Sequence, residues 1–312
     1  MSNNLVDIKA RIKGPVFPVI TPFKENGSID FNKTTDYIDF LCKNGANIIY
    51  TMAHSSRLGL MSVAEIKELN VVVCEATKKY PDTVAIAATP MYRSTEVIAD
   101  VARAADKAGA DLISVIFSER LYTHQQVIEF FSTISYAVDC GLLIHEEQLN
   151  TIHGTVKMNW PLDLLREVVN LPNVIALKED AKDDGFTEQV VEQFHEDVAI
   201  IVSGGSKKQF LKFAPLGCQA YLVGLGSFDP VIAVSFYENY LNGNVEPCHD
   251  VVDNVETPFF EITKNLGWHI GIKSAMEHMG LMSRIERRPL KELSVVEHKQ
   301  VRDTLIALHY IR

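Results

Sequence analysis

Eight short runs of apolar and β-branched residues recur about every 30 residues, and this repeat most limits what the chain can fold into. They fall at 16–20, 47–50, 84–87, 112–117, 142–144, 174–177, 199–202 and 220–223. Each is near-continuously apolar, as a strand buried on both faces must be. The stretches between them, such as 31–44 and 95–108, carry helical patterning. Glycines close several of these stretches, as in Lys43-Asn44-Gly45 and Lys107-Ala108-Gly109, where a left-handed residue ends a helix. Eight β-then-α units predict an α/β fold, a closed (β/α)8 TIM barrel. An open doubly wound sheet would place a glycine-rich phosphate loop after the first strand, and Thr21-Pro22-Phe23-Lys24 is not one. After residue 230 the strand runs stop and helical patterns follow at 236–241, 251–266, 272–279 and 295–311. The expected division is a barrel over 1–230 and a C-terminal helical extension over 231–312.

At 312 residues and 47% hydrophobic, the chain can bury a sizeable core. Its formal charge of −10 argues against a nucleic-acid-binding surface and gives no help toward anionic membranes. The five cysteines, Cys42, Cys74, Cys140, Cys218 and Cys248, show no CxxC spacing, a pattern of free thiols in a reducing compartment. The first 13 residues lack a signal-peptide core, and no apolar run reaches the length of a membrane span. The expectation is a cytoplasmic protein.

Lys178 ends the sixth run, Asn173-Val174-Ile175-Ala176-Leu177-Lys178, and Glu179-Asp180 follow at once. A barrel aims its chemistry from the C-terminal ends of its strands. An amine there is partly desolvated, which disfavours its charged form and makes it a nucleophile for a carbonyl. The other strand ends offer Thr21, Ala53-His54-Ser55-Ser56-Arg57, Thr89, Ser118-Glu119-Arg120, His145-Glu146-Glu147 and Ser203-Gly204-Gly205-Ser206. Ser55 and Ser56 are candidates to hold a carboxylate. His145 is the candidate to shuttle protons. A 2-oxo acid would then condense with Lys178, and the iminium would act as an electron sink. His54, His145 and Glu146 could together ligate a metal, but nothing in their spacing demands one, and neither metal nor cofactor is expected.

These residues resemble a known family, the class I aldolase superfamily that includes dihydrodipicolinate synthase and N-acetylneuraminate lyase. The resemblance rests on Gly14-Pro15-Val16-Phe17-Pro18-Val19-Ile20-Thr21-Pro22-Phe23 and Asn26-Gly27-Ser28-Ile29-Asp30. It continues in Lys107-Ala108-Gly109-Ala110-Asp111, in Leu171-Pro172-Asn173-Val174-Ile175-Ala176-Leu177-Lys178-Glu179, in Ser203-Gly204 and in Ile272-Lys273-Ser274-Ala275. It covers nearly the whole chain, apart from a short insertion between His145 and Lys178. It implies a barrel with C-terminal helices, a homo-oligomer (dimer or tetramer), and Lys178 as the Schiff-base former.

Three departures from the family pattern stand out. The family's carboxylate loop Gly-Thr-Thr-Gly-Glu falls on Ala53-His54-Ser55-Ser56-Arg57, its catalytic tyrosine on His145, and the tyrosine lent by a neighbouring subunit near Ser118-Glu119. The arginine that follows the tyrosine in dihydrodipicolinate synthases has no counterpart in Gln148-Leu149-Asn150, which argues against that reaction. The extra residues 151–160 are expected beside the mouth. Glu119, Glu146 and Glu147 are expected to make that mouth acidic, with Arg57, Arg93 and Arg120 as counter-charges.

The resulting expectation is a Schiff-base lyase or aldolase acting on pyruvate or a sugar-derived keto acid. Lys178 and His145 are its catalytic pair. Substrate contacts are expected from His54, Ser55, Ser56, Arg57, Glu119, Glu146, Ser203, Gly204 and Leu222. The alternatives are a sugar-acid dehydratase or decarboxylase using the same lysine, and a barrel that binds a ligand without catalysis.

Overall fold

The structure is a computed structural model that describes residues 3–121, 123–152, 156–203 and 206–312. Its strands are β1 (Gly14–Pro18), β2 (Ile48–Tyr50), β3 (Val84–Ala88), β4 (Leu112–Val115), β5 (Arg120–Leu121), β6 (Gly141–Glu146), β7 (Leu149–Thr151), β8 (Lys157–Met158), β9 (Val174–Glu179), β10 (Ala199–Val202) and β11 (Ala220–Leu222). Eight of them close into a parallel barrel in the order β1-β11-β10-β9-β6-β4-β3-β2. These are the eight apolar runs of the sequence, each trimmed or extended by a few residues. The other three, β5, β7 and β8, form a separate small sheet. It is built partly from the insertion, with β7 and β8 antiparallel and Asn150 opposite Lys157.

The first seven barrel strands are each followed by a helix: α2 (Phe31–Lys43), α3 (Val63–Thr77), α4 (Thr95–Ala108), α5 (His124–Ser135), α6 (Leu162–Val169), α7 (Asp184–Phe194) and α8 (Ser206–Phe213). Local chemistry sets their ends. Asp30 caps α2 by accepting the Lys33 amide at 3.1 Å, and Ser62 and Glu65 form a reciprocal capping box on α3. Gly45 and Gly109 sit at φ +95° and +92°, the left-handed conformation expected of helix-ending glycines. All five cysteines are free.

The chain also forms α1 (Asn3–Arg11) ahead of the barrel. Leu5, Ile8 and Ile12 join Val16, Ile48, Val84, Leu112, Ala176, Ala199 and Ala220 in one buried cluster inside the barrel. This helix therefore plugs the end of the barrel at which the strands start. The larger apolar cluster lies between the strands and the helix layer.

Helix α9 (Pro230–Leu241) follows β11 and takes the place of the eighth barrel helix. The Tyr221 hydroxyl donates to the Ala233 carbonyl at 2.8 Å, and the Tyr221 and Phe236 rings meet at 5.5 Å. The division expected at 230/231 thus falls at the start of a helix packed on the barrel. Beyond it lie α10 (Val245–Val251), α11 (Thr257–Leu266), α12 (Trp268–His278) and α13 (Val295–Ala307). A turn of π-helix, Val252–Glu256, joins α10 to α11. No helix among the described residues is long and apolar enough to cross a membrane.

Candidate active site

Side chains alternate across a strand, so residues two apart share a face. Ala176 lies in the barrel interior, and the same face of β9 presents Lys178 and then Asp180. On β6, Leu143 is interior, followed by His145 and then Glu147. β6 and β9 pair with His145 opposite Lys178 and Glu146 opposite Glu179. Ser203 continues the inward face of Ile201 just past β10. Five polar side chains, Lys178, Asp180, His145, Glu147 and Ser203, thus converge at the C-terminal ends of three adjacent strands.

Lys178 is fully buried. Its Nζ stands 2.8 Å from His145 Nε2, 2.7 Å from Asp180 Oδ2 and 2.9 Å from Ser203 Oγ. Burial pushes this amine down to about 7, against the opposing pull of Glu179, Glu147 and Glu146. His145 is also fully buried, and desolvation together with the Lys178 charge holds its pKa well below the usual histidine value. The imidazole is therefore neutral. Its Nε2 lies 3.2 Å from Asp180 Oδ2, and its Nδ1 has no hydrogen-bond partner among the described residues. Asp180 Oδ2 thus faces both the amine and the imidazole, while Oδ1 accepts from Lys182. Lys182 is itself lowered to about 8, by burial first and then by Lys178.

A cavity of about 610 Å³ opens above these groups, and Lys178, Asp180 and Ser203 line it. His54, Ser55 and Leu222, all expected at the site, line it too. The ring of His54 meets that of His145 edge-on at 6.1 Å, and its Nε2 lies 3.5 Å from Glu147 Oε1. The Ser55 hydroxyl lies 3.4 Å from His269 Nδ1. Gly204 lies outside the described residues.

Four expected contacts are placed elsewhere. Ser56 is buried with its hydroxyl committed to backbone: it donates to Val19 O at 2.5 Å and accepts from Met52 N at 3.0 Å. Arg57 spends its guanidinium on Glu286 at 2.5 and 3.1 Å and on the carbonyls of His54, Ser55 and His269. It holds the loop and does not face the cavity. Glu146 points to the helix side of β6, because its neighbour His145 points inward. Its Oε2 accepts the Asp180 amide at 3.3 Å. Glu119 lines a separate groove together with Arg93 and Arg120, and it accepts its neighbour's amide at 2.8 Å. The mouth is therefore not acidic as expected. Its carboxylates are Asp180 and Glu147, the latter held down at about 2, chiefly by His54. Lys157, Lys182 and Lys264 stand with them on the lining. Among the described residues no group of three or more His, Cys, Asp or Glu side chains is placed to hold a metal; with Glu146 turned away, the triad considered from sequence does not assemble.

The sequence reading missed several lining residues. Asp180 was legible: two positions after Lys178, it shares that lysine's face. Gln148 comes from the segment just after β6, and Lys157 comes from the insertion, which does border the mouth; it is tied down by Trp160 Nε1 donating to the Glu147 carbonyl at 2.9 Å. Phe260, Lys264, Trp268, His269 and Ile272 come from α11 and α12, and no local pattern marks them as roofing a barrel. His269 is lowered to about 3, mainly by burial and then by Arg57, so it too is neutral.

Comparison with known proteins agrees with this architecture. The chain is 22% identical over 306 residues to the 4-hydroxy-tetrahydrodipicolinate synthase of Archaeoglobus fulgidus, covering 96% of this chain and 99% of that one. It is 23% identical over 246 residues to the enzyme of that name from Neisseria meningitidis, covering 78% of this chain and 81% of that one. The crystal structure of dihydrodipicolinate synthase from Oceanobacillus iheyensis superposes with a TM-score of 0.86 at 22% identity, over 98% of this chain and 100% of that one. N-acetylneuraminate lyase from Fusobacterium nucleatum superposes with a TM-score of 0.82 at 17% identity, over 96% and 99%. The sequence profile described as the dihydrodipicolinate synthetase family matches residues 11–308, and the chain belongs to that family.

Proposed function

We propose that the protein is a Schiff-base-forming lyase or aldolase that makes or breaks a C–C bond in a 2-oxo acid. One observation carries the reading: a fully buried amine, lowered to about 7, opens on a cavity large enough for a substrate. At neutral pH much of Lys178 is uncharged and can add to a ketone. Neutral His145, 2.8 Å from Nζ, takes the proton that the attacking nitrogen sheds and returns it to the departing hydroxyl. Asp180 orients the amine and the imidazole and stabilises their protonated forms. The Ser55 hydroxyl meets the substrate carboxylate, with His54, Ser203 and Leu222 bounding it. No bound cofactor is required by this chemistry.

The relatives include proteins named synthase and one named lyase, which supports the reaction class. At 17–23% identity none of them passes on its substrate. A second reading, dehydration or decarboxylation through the same iminium, draws support from the described cavity lining, which contains no tyrosine, and from His145, which lies behind that lining against Lys178 Nζ at 2.8 Å. The family resemblance supports a cytoplasmic homo-oligomer.

The test is borohydride reduction in the presence of pyruvate and a panel of 2-oxo acids, followed by mass mapping. The expected result is an adduct on Lys178 that is absent in Lys178→Ala. Absence of an adduct with every acid of the panel would leave the ligand-binding alternative in its place.

A further inference from the structure

The cavity has two unlike sides. Around Lys178 it is polar. Its far wall comes from α11, α12 and the end of β11, and it is aromatic. Phe260 and Trp268 pack with ring centroids 4.1 Å apart at 44°, and both line the cavity. Ile272, one helical turn after Trp268, continues the wall, and Leu222 and Val223 continue it from β11. Gly224 seats the two rings. A Cβ there would come within 2.7 Å of both Phe260 Cζ and Trp268 Cζ2, so the backbone is bare where the aromatic pair packs down on it.

Polar capacity on this wall is sparse: the His269 imidazole of α12 lines it, with Nδ1 3.4 Å from the Ser55 hydroxyl, and two further groups remain. Ser227 contributes a buried hydroxyl without a hydrogen-bond partner among the described residues. Lys264 lies one turn after Phe260 on α11 and forms no salt bridge with the described residues. A polyhydroxylated sugar chain buried here would leave most of its hydroxyls without partners, at the cost of their desolvation. A flat aromatic group would pack on the Phe260–Trp268 pair and leave one position each for a hydroxyl at Ser227 and an electron-rich or anionic edge at Lys264.

We propose that the half of the substrate beyond the keto acid is an aryl group, so that the protein handles 4-aryl-4-hydroxy-2-oxo acids rather than sugar acids. This inference rests on the Schiff-base reading above. In cleavage, the iminium on Lys178 draws the C3–C4 bonding pair into an enamine while the C4 hydroxyl gives its proton to the base. The aryl aldehyde leaves, the enamine takes a proton at C3, and water releases pyruvate from the lysine. No oxidant or reductant enters.

The experiment measures pyruvate release from 4-hydroxy-2-oxo-4-phenylbutanoate and from a 4-hydroxy-2-oxo acid with a polyol chain, alongside pyruvate trapping on wild-type Lys178. The wild type is expected to favour the phenyl compound by at least about tenfold in kcat/KM. Trp268→Ala, checked for a cooperative unfolding transition, is expected to lose about tenfold on the phenyl compound, with Trp268→Phe recovering most of it. A pyruvate adduct on Lys178 together with equal or better turnover of the polyol substrate would overturn this inference alone. No adduct with any 2-oxo acid would overturn the lysine chemistry beneath it as well. An aryl preference that Trp268→Ala leaves unchanged would overturn the assignment of the wall.

Discussion

Two carboxyl groups, Glu146 and Glu179, are buried side by side behind the strand ends that carry His145 and Lys178. Burial first, and then the neighbouring Glu179 charge, pushes Glu146 up to about 8 from an ordinary 4.5; Glu179 is also raised, mainly by burial. The folded-state value of Glu146 lies above the unfolded one. Between about 4.5 and about 8 the native protein therefore keeps a proton that the unfolded chain loses, and stability falls as pH rises through that window. Replacing Glu146 with Gln removes this dependence. Glu146→Gln is expected to be more stable than wild type above about pH 8, with the gap closing toward about pH 5, as read from urea midpoints at the two pH values. A gap independent of pH would show that Glu146 is ionised in the fold. The error of placing Glu146 at the mouth has a simple physical origin. In a strand, one residue of displacement turns a side chain to the other face, and once His145 faces inward, Glu147 is the carboxylate that shares its side. The same alternation puts Asp180 beside Lys178, so both assignments were within reach of the sequence. The commitment of Ser56 and Arg57 was not, because their partners Val19 and Glu286 are distant in the chain.

Between elements, the loop after β2 is held by the segment after α12. Arg57 sits at φ +62°, a left-handed conformation that costs any residue with a Cβ energy. Its guanidinium makes five hydrogen bonds that hold it there, two of them to Glu286. Glu286 also lies 3.6 Å from Lys273 Nζ, which donates to Thr21 O at 2.9 Å and Ile285 O at 2.6 Å. His54 and Ser55 reach the cavity on the loop that this buried cluster fixes. Arg57→Ala strips Glu286 of its bidentate partner, and a loss of about 3 kcal/mol in unfolding free energy is expected from urea denaturation. A change under about 0.5 kcal/mol would show the cluster to be dispensable. The eight barrel strands were legible because burial on both faces leaves continuous apolar runs. The small sheet of β5, β7 and β8 was not: strands of two or three residues carry no period to detect. Nor was the roof. Phe260 and Trp268 look like ordinary core residues until α11 and α12 are seen against the end of β11.

Across the whole molecule, the barrel is closed at one end and open at the other. Helix α1 and the residue after it insert Leu5, Ile8 and Ile12 into the closed end, and the helix is pinned by Lys9 donating to the carbonyls of Glu196 and Asp197 at 2.6 and 2.7 Å. Ile8→Asp would put a carboxylate into this buried apolar cluster, and a loss of at least about 3 kcal/mol is expected. A thermal midpoint unchanged from wild type would mean that the plug contributes nothing. Its mixed charged and apolar composition had hidden this helix in the sequence. With the bottom plugged and α11 and α12 over the top, Lys178 is removed from water, and that burial is what lowers its pKa to about 7, on which the proposed chemistry depends. The most direct measurement is the rate of cyanoborohydride trapping of pyruvate on Lys178 as a function of pH. Burial lowers this amine, so its neutral fraction should rise through a midpoint near 7, far below the ordinary lysine value of 10.5. An adduct on Lys178 whose rate climbs with a midpoint near 7 is the predicted result. A midpoint near 10, or no adduct on Lys178, would contradict it.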